Sequence, residues 1–412
     1  MTMYNAYHTA SLLLSVAVLL GYLNHRFIKL QATIALMTSA SMIALCLMIG
    51  ENANLFHLQG MAQATLSQIH FQDLLLNGLL SFLLFAGALT IDMDAVKRHL
   101  SAILTLASIT TCLSTLLVAL SSYYLLPLLG IHLPLIWCAL FGALISPTDP
   151  IAVLATFKKL GAPPKLQVCV SGESLFNDGV GIVIFTTLLA IVQLPHTPTA
   201  TGVLWLFTQE SLGGILYGAA LAWLYCQLIS SIDDELMPIL MSLSLVSGGY
   251  ALAQMIHVSG PLAMVMAGFI IGAHKKNLQP EQKKSLMNFW EIIDELFNAV
   301  LFLLLGLELL VIPFTSALFT ATLVCIPTLL IIRFITVGAA LWPLVWLQKK
   351  HYPITIISWS GLKGGLAIAL ALSLPNSPER PVVLALAYGV VVFSIIGQGL
   401  SIPQFLKRYY NA

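Results

Sequence analysis

Apolar residues in this chain come in long unbroken runs, not in the alternating or one-sided stripes of a soluble fold. The runs lie at about 9–23, 30–50, 74–91, 100–129, 133–157, 166–194, 203–229, 236–257, 259–273, 288–312, 314–347, 354–374 and 381–406. Most approach the ~20 residues that a helix needs to cross a bilayer. The pattern predicts an all-α polytopic membrane protein with about thirteen transmembrane helices. The run at 259–273 is short, and that at 314–347 is long enough to tilt or break. The longest predicted external loop is about 51–72, and no soluble domain is expected.

Composition agrees. Hydrophobic residues make up 58% of the chain and charged ones 8%, whereas soluble domains carry about 25% charged residues. The net charge of +1 leaves no nucleic-acid footprint, so nucleic acid is excluded as a partner. Six cysteines are scattered singly through apolar runs, with neither disulfide-framework nor metal-ligand spacing. They read as small core residues. None of the ten histidines pairs at metal spacing, and none is assigned a role.

The first run has no basic residue before it and Arg26 and Lys29 after it, the reverse of a secretory signal peptide. With thirteen spans the termini fall on opposite sides. Fifteen of the 18 Lys and Arg then share one side: Arg26, Lys29, Lys97, Arg98, Lys158, Lys159, Lys165, Lys275, Lys276, Lys283, Lys284, Lys349, Lys350, Lys407 and Arg408. That side is cytoplasmic by the positive-inside rule. The expected topology is multi-pass in the cytoplasmic (inner) membrane, N-terminus outside and C-terminus cytoplasmic.

Two runs carry helix breakers near their middles. Ser146-Pro147-Thr148-Asp149-Pro150 interrupts the fifth, where two prolines remove backbone donors. Gly361-Leu362-Lys363-Gly364-Gly365 interrupts the twelfth, where glycines should weaken a helix without stopping it. Six spans, a linker span and six more make these two equivalent under an inverted repeat. Interrupted helices at matching places in two halves point to a transporter binding site. Half-helix C-termini there offer carbonyls suited to a small cation. Lys363 would either offset that negative charge or pair with Asp149.

The sixth run holds the main polar constellation. Glu173 and Asn177 are four apart, as are Ser174 and Asp178, so these side chains share one stripe of a helix. Ionisable groups inside a span are costly, and by default they mark function. The structural alternative is a satisfied polar cluster between packed helices. Arg333, inside the eleventh run, needs a buried carboxylate partner. Glu173 is the candidate, with Glu308 the competitor near a wetter helix end. Glu291, Asp294 and Glu295 read as the interfacial start of the tenth span.

Together these motifs resemble the cation/proton antiporter-1 family, and within it the NhaP-type prokaryotic sodium/proton antiporters. Ser146-Pro147-Thr148-Asp149-Pro150 and Gly172-Glu173-Ser174-Leu175-Phe176-Asn177-Asp178-Gly179 carry the resemblance. Phe302-Leu303-Leu304-Leu305-Gly306-Leu307-Glu308 and Trp359-Ser360-Gly361-Leu362-Lys363-Gly364-Gly365 agree. The resemblance implies a cation- and proton-binding site of Asp178, Asn177, Ser174, Thr148 and Asp149, with Na+ held at Asp178, Ser174 and Thr148. It implies a structural ion pair of Glu173 and Arg333, and Lys363 as charge compensation at the helix break. It also implies a homodimer. Core transport helices would lie at 100–194 and 313–407, with scaffold and dimerisation helices at 1–99 and 200–312. Several relatives have a glutamate in the third span, where this chain has Ala86. That departure puts sodium preference in question.

The resulting expectation is an electroneutral Na+ (and Li+) for H+ antiporter serving pH homeostasis, with no cofactor and no enzymatic reaction. The rivals are a K+/H+ or mixed-cation antiporter, a membrane enzyme using Glu173, Asp178 and Ser174, and a channel.

Overall fold

The computed structural model describes residues 3–52, 60, 63, 71–193, 200–312, 315–348 and 353–410. Its helices follow the apolar runs. They are α1 (Met3–Leu23), α2 (Ala32–Asn52), α3 (Leu80–Thr90), α4 (Met93–Leu129), α5 (Leu135–Ile145), α6 (Ile151–Lys159), α7 (Pro164–Gln193) and α8 (Ala200–Ile229). They continue with α9 (Met237–Met255), α10 (Gly260–His274), α11 (Pro280–Leu307), α12 (Ser316–Gln348), α13 (Ile354–Trp359), α14 (Gly365–Leu372) and α15 (Arg380–Arg408). Among the described residues, eight helical stretches are long and apolar enough to cross a membrane, and α3, α5 and α10 are shorter apolar helices. The external loop expected at 51–72, and Lys349 and Lys350, lie largely or wholly outside the described residues.

Local sequence explains several boundaries. Asp92 stands in an extended conformation, and its carboxylate accepts from the backbone of Asp94 and Ala95. Such a cap stabilises a helix by about 1 kcal/mol, and it starts α4 ahead of its apolar run. Gln279 and Gln282 form a reciprocal cap, with Pro280 at the first helical position. This cap begins α11 well before residue 288. Glu291, Asp294 and Glu295 therefore stand about three turns inside the helix and not at its start.

The long eleventh run does not break. α12 is one helix of 33 residues with Pro327 and Pro343 inside it. At ~1.5 Å per residue that is longer than the ~30 Å hydrocarbon core, so it must tilt or project.

Two apolar clusters hold the helices. The larger packs α4, α5 and α7 with α12, α14 and α15 and reaches α2. The second joins α3, α8, α9, α10 and α11 around the fully buried Trp290 and Phe85. The cysteines follow the core expectation only in part. Cys138, Cys169 and Cys325 are buried, but Cys46 and Cys112 are exposed. A surface facing lipid is as apolar as an interior, so composition does not separate the two.

Candidate functional site

The site is built where the two interruptions meet. α5 ends at Ile145 and α6 starts at Ile151; α13 ends at Trp359 and α14 starts at Gly365. The two linking segments cross antiparallel, with the Asp149 N–H donating to the Leu362 carbonyl at 2.7 Å. The glycine-rich segment thus stops its helix rather than merely weakening it. Backbone freed inside a membrane needs protein partners, and these are present. The Lys363 N–H donates to Ser394 Oγ at 2.8 Å, Ser394 Oγ donates to Gln398 Oε1 at 2.6 Å, and Gln398 Nε2 donates to the Trp359 carbonyl at 3.2 Å. Sequence reading missed Ser394 and Gln398. Their signal was a polar pair four apart in an apolar run.

Lys363 resolves the choice left open for it. Its Nζ donates to the Ser146 carbonyl at 2.8 Å and the Pro147 carbonyl at 3.3 Å. It sits at the C-terminal end of α5, where the helix dipole leaves negative partial charge. It is not in ion-pair contact with Asp149 among the described residues. Gly364 is what lets the two segments approach: a Cβ there would lie 2.2 Å from Asp149 Oδ2.

The stripe on α7 faces these breaks. Asn177 Nδ2 donates to Thr148 Oγ1 at 2.8 Å, and the Thr148 N–H donates to Asn177 Oδ1 at 3.3 Å. The hydroxyls of Thr148 and Ser174 are hydrogen-bonded at 3.1 Å. All three side chains are buried. The Asn177 amide therefore ties the unwound segment to α7, with its oxygen occupied by backbone. Asp149 accepts from the Ile151 N–H at 2.9 Å, capping α6 with one carboxylate oxygen. Asp149 and Asp178 are both half-buried.

Arg333 on α12 donates through Nη2 to Glu173 Oε1 at 2.5 Å, and both side chains are buried. Gly361 makes room for the guanidinium, since a Cβ there would lie 2.7 Å from Arg333 Nε. Glu308 is buried rather than wet, at the other end of α11's apolar stretch, and is not the partner of Arg333.

A cavity of about 1310 Å³ opens onto this group. Thr148, Asp149, Ser171 and Asp178 line it, whereas Ser174 and Asn177 lie behind its wall. Glu291, Asp294 and Glu295 of α11 also line it, as do Lys158, Lys159 and Lys407 at the ends of α6 and α15. Ala86 is not part of that wall. It is packed in the second apolar cluster beside Trp290, and Gly87 lines the cavity instead.

A family model described as the transmembrane sodium/hydrogen exchanger matches residues 13–408. The chain belongs to that family. This exchanger-family chain is 41% identical over 404 residues to the Na(+)/H(+) antiporter NhaP of Pseudomonas aeruginosa, covering 96% of this chain and 95% of that one. It is 33% identical over 349 residues to the Na(+)/H(+) antiporter NhaH of Halobacillus dabanensis, covering 82% and 83%. Its fold is that of the sodium proton antiporter MjNhaP1 from Methanocaldococcus jannaschii, with TM-score 0.73, 21% identity, and 99% and 97% of the two chains covered. The exchanger is thus an all-α, multi-pass membrane transporter of the NhaP-like fold.

Proposed function

We propose that this exchanger moves sodium, and lithium, against protons across the cytoplasmic membrane, with Asp178 as the site that either cargo occupies. One observation carries the reading. Two carboxylates project from the middle of α7, and they are treated differently. Glu173 is neutralised by Arg333. Asp178 faces the cavity with no cation in ion-pair distance among the described residues. A carboxylate at that depth is costly when ionised and unpaired. A proton or a sodium ion removes that cost equally well, and one group cannot hold both. The loaded core then carries the same charge in either direction, so exchange is electroneutral.

Thr148 and Asp149, which share the cavity wall with Asp178, and Ser174, one turn before it on α7, are the further oxygen donors of this reading. Asn177 acts by holding Thr148 in place, and Lys363 by capping α5.

Lys158, Lys159 and Lys407 line the cavity, and by the positive-inside rule this supports an opening on the cytoplasmic side. On this reading the described state is open inward and the N-terminus lies outside, and eight helical stretches among the described residues are long and apolar enough to cross. The proposed scaffold is 1–99 and 200–312, of which the second apolar cluster joins α3 and α8 to α11, and the core of 100–194 and 313–407 rocks against it during alternating access. The scaffold is also the expected homodimer surface. No cofactor and no enzymatic step enter this scheme. The alternative is a K+/H+ or mixed-cation antiporter, since Ala86 supplies no carboxylate where several relatives have a glutamate.

The test is proton flux in proteoliposomes of the purified protein. Imposed sodium and lithium gradients are expected to drive proton movement without generating a membrane potential, and potassium to drive it at least about tenfold less. Equal or greater flux with potassium, or a potential set up by exchange, would overturn the assignment.

A further inference from the structure

We propose that Asp294 and Asn298 form a second, outer cation subsite in the same cavity, which holds a hydrated sodium ion on its way to Asp178. This site rests on the antiport reading above for its cargo, but not for its existence.

The argument begins with Asn298. Its side chain is 3% exposed, and it stands in the cavity wall. Its Nδ2 donates to Asp294 Oδ1 at 3.1 Å. That bond sets the orientation of the amide, because an ionised carboxylate accepts only and must face the nitrogen end. The other end, Oδ1, is buried without any hydrogen-bond partner. A buried acceptor left unmade costs about 1–3 kcal/mol, so an orphan carbonyl in a cavity wall calls for a cation or a donor from the cavity.

The surroundings select a cation. Asp294 is half-buried in the same wall, one turn before Asn298. Glu291 and Glu295, on the same helix and in the same wall, add negative field. Lys158 and Lys159 share the cavity, but no ion pair joins them to these carboxylates among the described residues. The donors on offer are therefore oxygens only, which suit a hard cation. No three ionisable groups among the described residues converge closely enough for a metal centre. The ion accordingly keeps most of its water and is held by one carboxylate and one amide oxygen. Such a site concentrates sodium inside the cavity without competing with the fuller desolvation available beside Asp178.

Two measurements test this, each with sodium chloride against choline chloride at fixed ionic strength. In the Asp178→Asn protein the inner carboxylate is gone. Sodium is expected still to raise its thermal stability, since a ligand bound to the folded state shifts the midpoint. Adding Asp294→Asn should remove that shift. In the chain with Asp178 intact, Asp294→Asn should raise the half-saturating sodium concentration about fivefold, through loss of local enrichment, while Asp294→Glu stays within about twofold of the parent. If Asp294→Asn does not fold, Asn298→Ala in the Asp178→Asn background reads the same loss. Absence of any sodium-dependent shift in Asp178→Asn, or its persistence in the double variants, overturns the outer subsite. Exchange by Asp178→Asn itself would instead overturn the assignment of Asp178, leaving the subsite result to stand on its own.

Discussion

Asp178→Asn is expected to insert and fold, and to leave exchange at the level of empty vesicles. The substitution keeps the shape of the side chain and removes only its charge. An amide at this position resembles the protonated carboxylate at every pH. It neither attracts sodium nor releases a proton, so both half-cycles lose their cargo. The fold should tolerate the change, because Asp178 faces the cavity and its side chain supports no neighbour through a hydrogen bond among the described residues, unlike Asn177, which holds Thr148. Midpoint of thermal unfolding in detergent, measured beside proton flux in proteoliposomes, separates the two effects. A stable variant without flux supports the assignment. A variant with substantial sodium-driven flux contradicts it.

The second large effect concerns Glu173 and Arg333. Their contact joins α7 to α12 inside the bundle, with side chains only 2% and 6% exposed. Replacing a whole buried pair by apolar groups is often nearly neutral, because desolvation offsets the attraction. Removing one partner leaves an unpaired buried charge and typically costs about 3–5 kcal/mol. Glu173→Gln and Arg333→Met should each lower the unfolding midpoint sharply, and the double variant should recover much of the loss. Arg333→Met should be the worse of the two, because Gly361 leaves room shaped for a guanidinium that a smaller side chain does not fill. Strictly additive losses in the double-mutant cycle would mean that the two charges are not coupled.

Much of this fold was legible because a membrane simplifies the signal. A run of apolar residues is a helix, since backbone in lipid has few other ways to satisfy itself. Prolines at 147 and 150 and glycines at 361, 364 and 365 marked the interruptions. A buried guanidinium at Arg333 called for a buried carboxylate, and the family resemblance pointed to Glu173 over Glu308. What the runs did not disclose was orientation. Glu291, Asp294 and Glu295 looked like residues meeting cytoplasmic water at a helix start. They do meet an aqueous space, but it is the cavity, and a polar face gives the same pattern in either case. Only the cap at Gln279, three turns earlier, distinguishes them. Ala86 shows the converse. A motif position can be matched in sequence while its side chain faces packing instead of the cavity. Lys363 had two plausible partners, and the crossing of two backbone segments from opposite halves decided between them, which no local pattern encodes.

The central claim is that one carboxylate serves both cargoes in turn. Direct competition has a definite signature: below the pKa of the site, apparent sodium affinity should fall about tenfold for each unit of pH, because protons and sodium exclude one another from it. At high pH sodium binds readily while the proton-loaded return step becomes scarce, so the rate of exchange passes through a maximum. Raising sodium should move the acidic limb to lower pH. The measurement is half-saturating sodium concentration across a pH series, in proteoliposomes of the purified protein. The account predicts that acidification raises this concentration steeply and leaves the rate at saturating sodium unchanged on the acidic limb. A flat half-saturating concentration, with the maximal rate alone collapsing as pH falls, would contradict it.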